Sequence, residues 1–193
     1  MRPWIALFSQ TGNEIYNLTR SMGIYPNCII TNQDNKDKIN RNLFDLYKFR
    51  ETKLNLKNTW YFLPKKPGII NYSEILKQFE DPIITLHGYL RIIPKEICER
   101  YKVYNLHPGL INKFPELKGF NPQERAYNGG YKLAGCVIHK VVPEVDEGEI
   151  LLSQGISIEG LNLNQVYKKL HDTAFDLWKI FFTGYKILEH ESA

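Results

Sequence analysis

Apolar residues fall along this chain in short runs that alternate with stretches of helical spacing. Trp4 to Phe8 is an unbroken apolar run that stops at Ser9-Gln10-Thr11-Gly12-Asn13-Glu14. Ile15, Leu18 and Met22 then recur at helical intervals, with Gly23 placed to end the helix they predict. Cys28-Ile29-Ile30-Thr31 predicts a second strand, and Asn32-Gln33-Asp34-Asn35 a loop. The alternation continues with a helix around Asn40–Phe49 and a strand over Thr59–Leu63. A further helix passes through Ile75, Leu76 and Phe79, capped by Asn71 or Ser73. Pro82-Ile83-Ile84-Thr85-Leu86 predicts a central strand, and Pro94 to Tyr101 a short helix with proline in its first turn. Strands alternating with helices predict an α/β fold with a Rossmann-like, doubly wound and mostly parallel sheet.

From Lys102 the pattern changes. Lys102-Val103-Tyr104-Asn105-Leu106-His107 reads as a buried strand ended by Pro108-Gly109, which cannot continue a ladder. Residues 112 to 123 are rich in proline and glycine, and Pro122 to Tyr127 predicts a helix stopped by Asn128-Gly129-Gly130. Ala134 to Val142 and Glu149 to Ile158 read as the two arms of an antiparallel hairpin, joined by the acidic loop Pro143–Gly148. Leu163 to Leu188 carries Val166, Leu170, Ala174, Leu177, Ile180 and Phe181 at helical spacing, predicting a long C-terminal helix broken near Gly184. The 193 residues are read as one domain with an N-terminal half, 1–101, and a C-terminal half, 102–193.

Composition alters this picture little. No apolar run approaches the ~18–20 residues that span a bilayer, and the N-terminus turns polar too soon for a signal peptide. Three cysteines, Cys28, Cys98 and Cys136, stand far apart in apolar surroundings. That pattern predicts reduced, buried thiols and a cytoplasmic protein, and their spacing suits no metal site. The net charge is +4. Between Lys36 and Lys66 there are nine basic and three acidic residues, so this segment holds more than the whole excess. A solvated surface is the ordinary reading of such a segment, and attraction of a phosphorylated substrate the functional one. No nucleic-acid motif accompanies it.

Candidate chemistry sits at the ends of the predicted strands. Asn105 and His107 are two apart on an extended chain, so an amide and an imidazole share one face at a strand's carboxyl end. By itself such a pair is more often a packed core histidine beside a turn asparagine. Asp146 lies in a loop with Glu144, Glu147 and Glu149, where solvated charge is the plain reading. The turn after the first strand offers a helix N-terminus to an anion, but with one glycine it is an ordinary loop by default.

The order of these pieces is more specific than any one of them. Phe8-Ser9-Gln10-Thr11-Gly12-Asn13 comes first, followed by Leu86-His87-Gly88-Tyr89-Leu90-Arg91-Ile92-Ile93-Pro94. Asn105-Leu106-His107-Pro108-Gly109 and Gly135-Cys136-Val137-Ile138-His139-Lys140-Val141-Val142-Pro143-Glu144-Val145-Asp146-Glu147-Gly148 complete the series. It resembles the folate-dependent formyltransferases over nearly the whole chain. The resemblance implies their fold, a doubly wound sheet with an antiparallel C-terminal hairpin and a long C-terminal helix. It also implies transfer of formyl from 10-formyltetrahydrofolate, as cosubstrate and without a metal, to a primary amine, first of all glycinamide ribonucleotide in purine biosynthesis. Asn105, His107 and Asp146 match the catalytic trio. The amide of Asn105 and a protonated His107 would stabilise the oxyanion of the tetrahedral intermediate, and Asp146 would favour the imidazolium and guide the proton.

Binding roles follow from the same resemblance. Leu90, Arg91, Ile92 and Ile93 would line the pterin site together with the loop Val141, Val142, Pro143, Glu144 and Val145. Thr11, Gly12 and Asn13 would hold the acceptor's phosphate, with Gly88, Pro108 and Lys168 beside the acceptor. A small phosphorylated amine is the implied partner, with no membrane or nucleic acid, for a monomer or homodimer. The chain departs from the pattern at the phosphate turn, which keeps one glycine and gains Glu14. It departs again at His171-Asp172 on the last helix and in the longer loop Lys118-Gly119-Phe120-Asn121-Pro122-Gln123. An amino-sugar nucleotide is therefore the alternative acceptor, with a formyltetrahydrofolate hydrolase or a non-catalytic folate-binding module standing further off. The length leaves no room for the added domains of the tRNA-directed or deformylating relatives.

Overall fold

Four apolar strands carry the first part of the chain: β1 (Trp4–Phe8), β2 (Cys28–Thr31), β3 (Trp60–Phe62) and β4 (Ile83–Leu86). They belong to a computed structural model that describes residues 2–57 and 59–184. By its internal contacts the chain divides into two compact units, one reaching Val103 and the other starting at Tyr104.

In the first unit the strands are parallel and ordered β3-β2-β1-β4. Every residue of β1, β2 and β4 is buried, which explains why they read as continuous apolar runs rather than as alternating ones. Helices α1 (Asn13–Met22), α2 (Arg41–Leu54) and α3 (Ile69–Leu76) make the crossovers, and α4 (Lys95–Arg100) follows β4. The chain leaves β1 first toward β2 and later returns to its other side as β4. The strand order therefore reverses between β1 and β4, and the carboxyl ends of two such strands are the usual place for a ligand in these sheets.

The second unit is antiparallel. β5 (Lys102–His107) brings the chain into it, and β6 (Leu133–Lys140) pairs with both β5 and β7 (Ile150–Ser157). β6 is buried from Ala134 to His139. The short helix α5 (Pro122–Asn128) precedes it, and the long helix α6 (Leu163–Gly184) follows β7. α6 buries Val166, Leu170, Leu177, Trp178 and Phe181, and the Phe181 ring meets Tyr104 of β5 edge-on at 5.0 Å. The parallel first half, the C-terminal hairpin and the long last helix agree with expectation. The three cysteines are buried, and no disulfide joins them.

Several boundaries differ from the sequence reading. α2 runs to Leu54 rather than stopping at Phe49, because its stop signal is Asn55 in the left-handed region at φ 51°, not a glycine. α3 begins at Ile69, ahead of both expected caps. Asn71 instead accepts a hydrogen bond from the Gly68 amide at 2.9 Å, one turn inside the helix. β6 ends at Lys140, two residues early. The part of the last helix expected over 185–188 lies outside the described residues.

Candidate active site

β5 and β6 are in register so that Asn105 faces His139 and His107 faces Val137. His139 interrupts an otherwise apolar strand, and it organises the polar cluster of the second unit. Its Nδ1 lies 3.0 Å from the Lys140 carbonyl, which marks Nδ1 as the protonated nitrogen of the neutral ring. Nε2 then accepts from the Asn105 amide at 3.3 Å. One hydrogen of the Asn105 amide is thereby fixed, and the direction of the other follows. A one-residue bulge on β7 sits beside this point: Ile138 pairs with Leu152, but His139 pairs with Ile150. Bulges re-aim side chains next to active sites in just this manner.

Asp146 joins the two histidines. Its Oδ2 is 3.2 Å from His107 Nδ1, and its Oδ1 is 3.4 Å from His139 Nε2. The Gly119 amide donates to Oδ2 at 2.8 Å. The side chains of His107, His139 and Asp146 are only 6%, 3% and 9% exposed. Burial works against the Asp146 carboxylate, but its contacts with His139 and His107 and the hydrogen bond from the Gly119 amide hold it below the ordinary aspartate value. Burial also lowers His107 below the ordinary histidine value, against the raising pull of Asp146 and the Leu117 carbonyl. Both His107 nitrogens face acceptors, since Nε2 lies 2.9 Å from the Leu117 oxygen. The resting ring is thus neutral near pH 7, yet a proton added to it would complete both hydrogen bonds. Such a group can take up and give back a proton without leaving its place.

The loop that carries Asp146 is closed tightly at its base. Lys140 donates to the Glu149 carbonyl at 2.8 Å, and a methyl group on Gly148 would stand 1.7 Å from the Lys140 oxygen. Asp146 itself sits at φ 56°, a conformation that aspartate and asparagine tolerate better than most residues. The segment over residues 116–119 is pinned as well. Arg125 donates to the Glu116 carbonyl at 2.6 Å and to that of Lys118, while Lys118 pairs with Glu147 at 2.7 Å. Leu117 and Gly119 thus act on the cluster through backbone atoms. Sequence reading looked for side chains in this loop and missed both. It also passed over His139, although a histidine inside a buried apolar strand was a legible signal.

The other sequence candidates fall into their own units. In the first unit the structure brings Thr11, Gly12, Asn13 and Gly88 together, with Ser9 N donating to the Gly88 carbonyl at 3.2 Å. Gly88 has φ 64°, and a methyl group there would meet nothing nearer than Gln10 Oε1 at 3.8 Å. Backbone conformation rather than crowding therefore requires the glycine. Leu90 N donates to Ser9 Oγ at 2.8 Å, tying the Leu90–Ile93 segment to the same turn. Arg91 spends its guanidinium on the carbonyls of Lys65 and Leu90, at 2.7 and 2.6 Å. Leu90 and Ile92 are exposed and Ile93 is buried.

In the second unit Val141, Val142 and Pro143 are half-buried, and Glu144 and Val145 are exposed. Pro108 is half-buried directly after His107. Lys168 is exposed on α6, and among the described residues no hydrogen bond or ion pair joins it to the trio. His171 and Asp172 face solvent on the same helix. Among the described residues no group of three or more His, Cys, Asp or Glu is arranged to hold a metal ion, and no helix is long and apolar enough to cross a membrane.

Comparison with known proteins places this geometry in context. Residues 24–178 match the family model described as formyl transferase. The chain is 32% identical over 89 residues to the trifunctional purine biosynthetic protein adenosine-3 of Bos taurus, covering 45% of this chain and 8% of that protein. It is 31% identical over 135 residues to a phosphoribosylglycinamide formyltransferase of Dictyostelium discoideum, covering 64% of this chain and 61% of that one. The chain thus spans less than two thirds of the length of either curated relative. In structure it is similar to a phosphoribosylglycinamide formyltransferase from Anaplasma phagocytophilum, with a TM-score of 0.73 at 22% identity over 92% of this chain and 84% of that one.

Proposed function

The chain belongs to the formyl transferase family, and from that premise we propose that it moves a formyl group from 10-formyltetrahydrofolate to a primary amine. The observation that carries this reading is the Asp146 carboxylate held between two imidazoles, with the Asn105 amide oriented by one of them. The residues present suit a flat, partly apolar cosubstrate. In the second unit, beside the trio, Val145 is 57% exposed, apolar surface of the kind a pterin would cover, and the loop Val141–Val145 would hold it.

The chemistry then follows from the residues. The neutral amine attacks the formyl carbon, a carbon–nitrogen bond forms, and negative charge develops on the formyl oxygen. The second amide hydrogen of Asn105 is positioned by His139 to donate to that oxygen. His107, neutral at rest, takes the proton the amine sheds at Nδ1, and Asp146 stabilises the imidazolium so formed. The proton passes on to the folate nitrogen as the original carbon–nitrogen bond breaks. Similarity to phosphoribosylglycinamide formyltransferases makes glycinamide ribonucleotide the first acceptor to test. A second reading, an amino-sugar nucleotide, is favoured by Glu14 in the acceptor turn.

The test is a panel assay following folate absorbance with glycinamide ribonucleotide, amino-sugar nucleotides, or no added amine. Formylation of an amine supports the proposal, whereas turnover without any amine would identify a hydrolase. Asp146→Asn is expected to lower kcat by about 10² or more while leaving the KM for the folate nearly unchanged. An unchanged kcat would remove Asp146 from the mechanism.

A further inference from the structure

A cavity of about 380 Å³ lies in the first unit at the amino ends of its strands. Arg2, Asn27 and Thr59 line it, and they lead into β1, β2 and β3 respectively. The turn Thr11–Asn13 and Gly88 stand at the other, carboxyl ends of β1 and β4. The volume is in the range of small-molecule pockets.

The wall is fixed by hydrogen bonds within the protein. Buried Tyr47 donates its hydroxyl hydrogen to the Pro26 carbonyl at 2.8 Å, and burial raises that hydroxyl well above its ordinary pKa. Trp4 N donates to Asn27 Oδ1 at 2.9 Å, and Asn27 N returns a bond to the Trp4 carbonyl at 2.7 Å. The Thr59 hydroxyl bonds to the Glu51 carboxylate. The hydroxyls of Tyr47 and Thr59 are thus already spent.

Apolar surface and positive charge remain to meet a ligand. Ile24, Leu54, Leu56 and Phe79 supply the first, with Leu54 and Leu56 46% and 40% exposed. Arg2, Arg50 and Lys57 supply the second, and among the described residues no carboxylate lines the cavity. Arg2 already pairs with Asp81 at 2.7 Å. The Arg50 guanidinium lies over the Tyr25 ring, 3.6 Å from its centroid. A guanidinium has five N–H donors in one plane, so it can serve a ligand beside any partner it already has. α1 and α2 end beside the cavity, and their last carbonyls would repel an anion. The Gly23 and Leu56 amides donate to the Thr19 and Glu51 carbonyls at 3.0 and 3.1 Å, which removes part of that field. No histidine or cysteine is among the lining residues, so the cavity is furnished for binding rather than for proton or group transfer.

We propose that this cavity is a small-molecule site for an organic anion that carries a carboxylate or phosphate on an aromatic body. The head group meets Lys57 and the edge of Arg50, and the ring packs against Tyr25, Leu54 and Leu56. None of these residues is assigned to formyl transfer, so the site stands independently of that reading.

The test is titration calorimetry of the full chain with naphthalene-1-acetate, its neutral amide and 1-naphthyl phosphate. At least one anion is expected to bind roughly tenfold or more tighter than the amide, in line with a charged hydrogen bond. The tighter of the two identifies the head group. Lys57→Glu, at an exposed side chain, is expected to weaken that anion by roughly tenfold or more with the melting temperature unchanged. Arg50→Gln is expected to weaken it too, and should that variant fail to fold, Lys57→Glu still decides. The amide resonances of Tyr25 and Lys57 shift on titration, while that of Gly119 stays in place. An amide that binds as tightly as the anions overturns the proposal, as does anion binding indifferent to Lys57→Glu. No binding of any probe up to roughly 1 mM, or shifts at Gly119 alone, overturns it as well.

Discussion

At the scale of single residues, the strand-end pair Asn105 and His107 was legible because alternation alone places both on one face. Its meaning was not, because a core histidine and an active-site histidine look alike until their partners are known. Those partners are Asp146, far along the chain in another loop, and the carbonyl of Leu117. His139 completes the arrangement by holding the Asn105 amide. Asn105→Ala should lower kcat by about 10²–10³, the cost of removing one oxyanion donor, with little change in folate affinity. Steady-state kinetics check it, and a matching loss in both parameters would assign Asn105 to binding instead.

At the scale of elements, the buried strands of the first unit were the easiest to read, since burial on both faces leaves uninterrupted apolar runs. Helix ends were harder, because Asn55 ends α2 through its left-handed backbone and Asn71 marks the start of α3 from inside the helix rather than ahead of it. The bulge on β7 and the backbone contacts of residues 117 and 119 leave no signature in residue type at all. Gly148 shows how an element depends on what is absent. A side chain there would drive into the Lys140 carbonyl at the end of β6, so Gly148→Ala should displace the Asp146 loop. The expected outcome is a loss of about 1–3 kcal/mol in stability, the range for overpacking a close contact, together with reduced kcat. Denaturant unfolding and kinetics on the same variant test the two effects separately.

At the scale of the whole molecule, the buried cluster couples stability to pH. The folded value of His107 is lowered from about 6.5, so its contribution is fully present above that pH and is lost as pH falls through the lower folded value. Asp146, lowered from 3.8, adds a second loss at still more acid pH, with the same sign. Thermal melting from pH 7.5 to 4.5 should show the first decline setting in below about 6.5, and His107→Gln should lack it. An identical profile in the variant would mean that other groups drive acid unfolding. The Gly119 amide gives a way to watch the cluster apart from unfolding. This backbone N–H is bonded to the Asp146 carboxylate rather than into a helix or ladder. Its exchange with deuterated solvent therefore clocks the local opening that withdraws residues 116–119 from Asp146, while amides of β1 and β6 exchange only through larger excursions. One proton resonance thus becomes a native reporter of whether the Asp146 carboxylate is held or released.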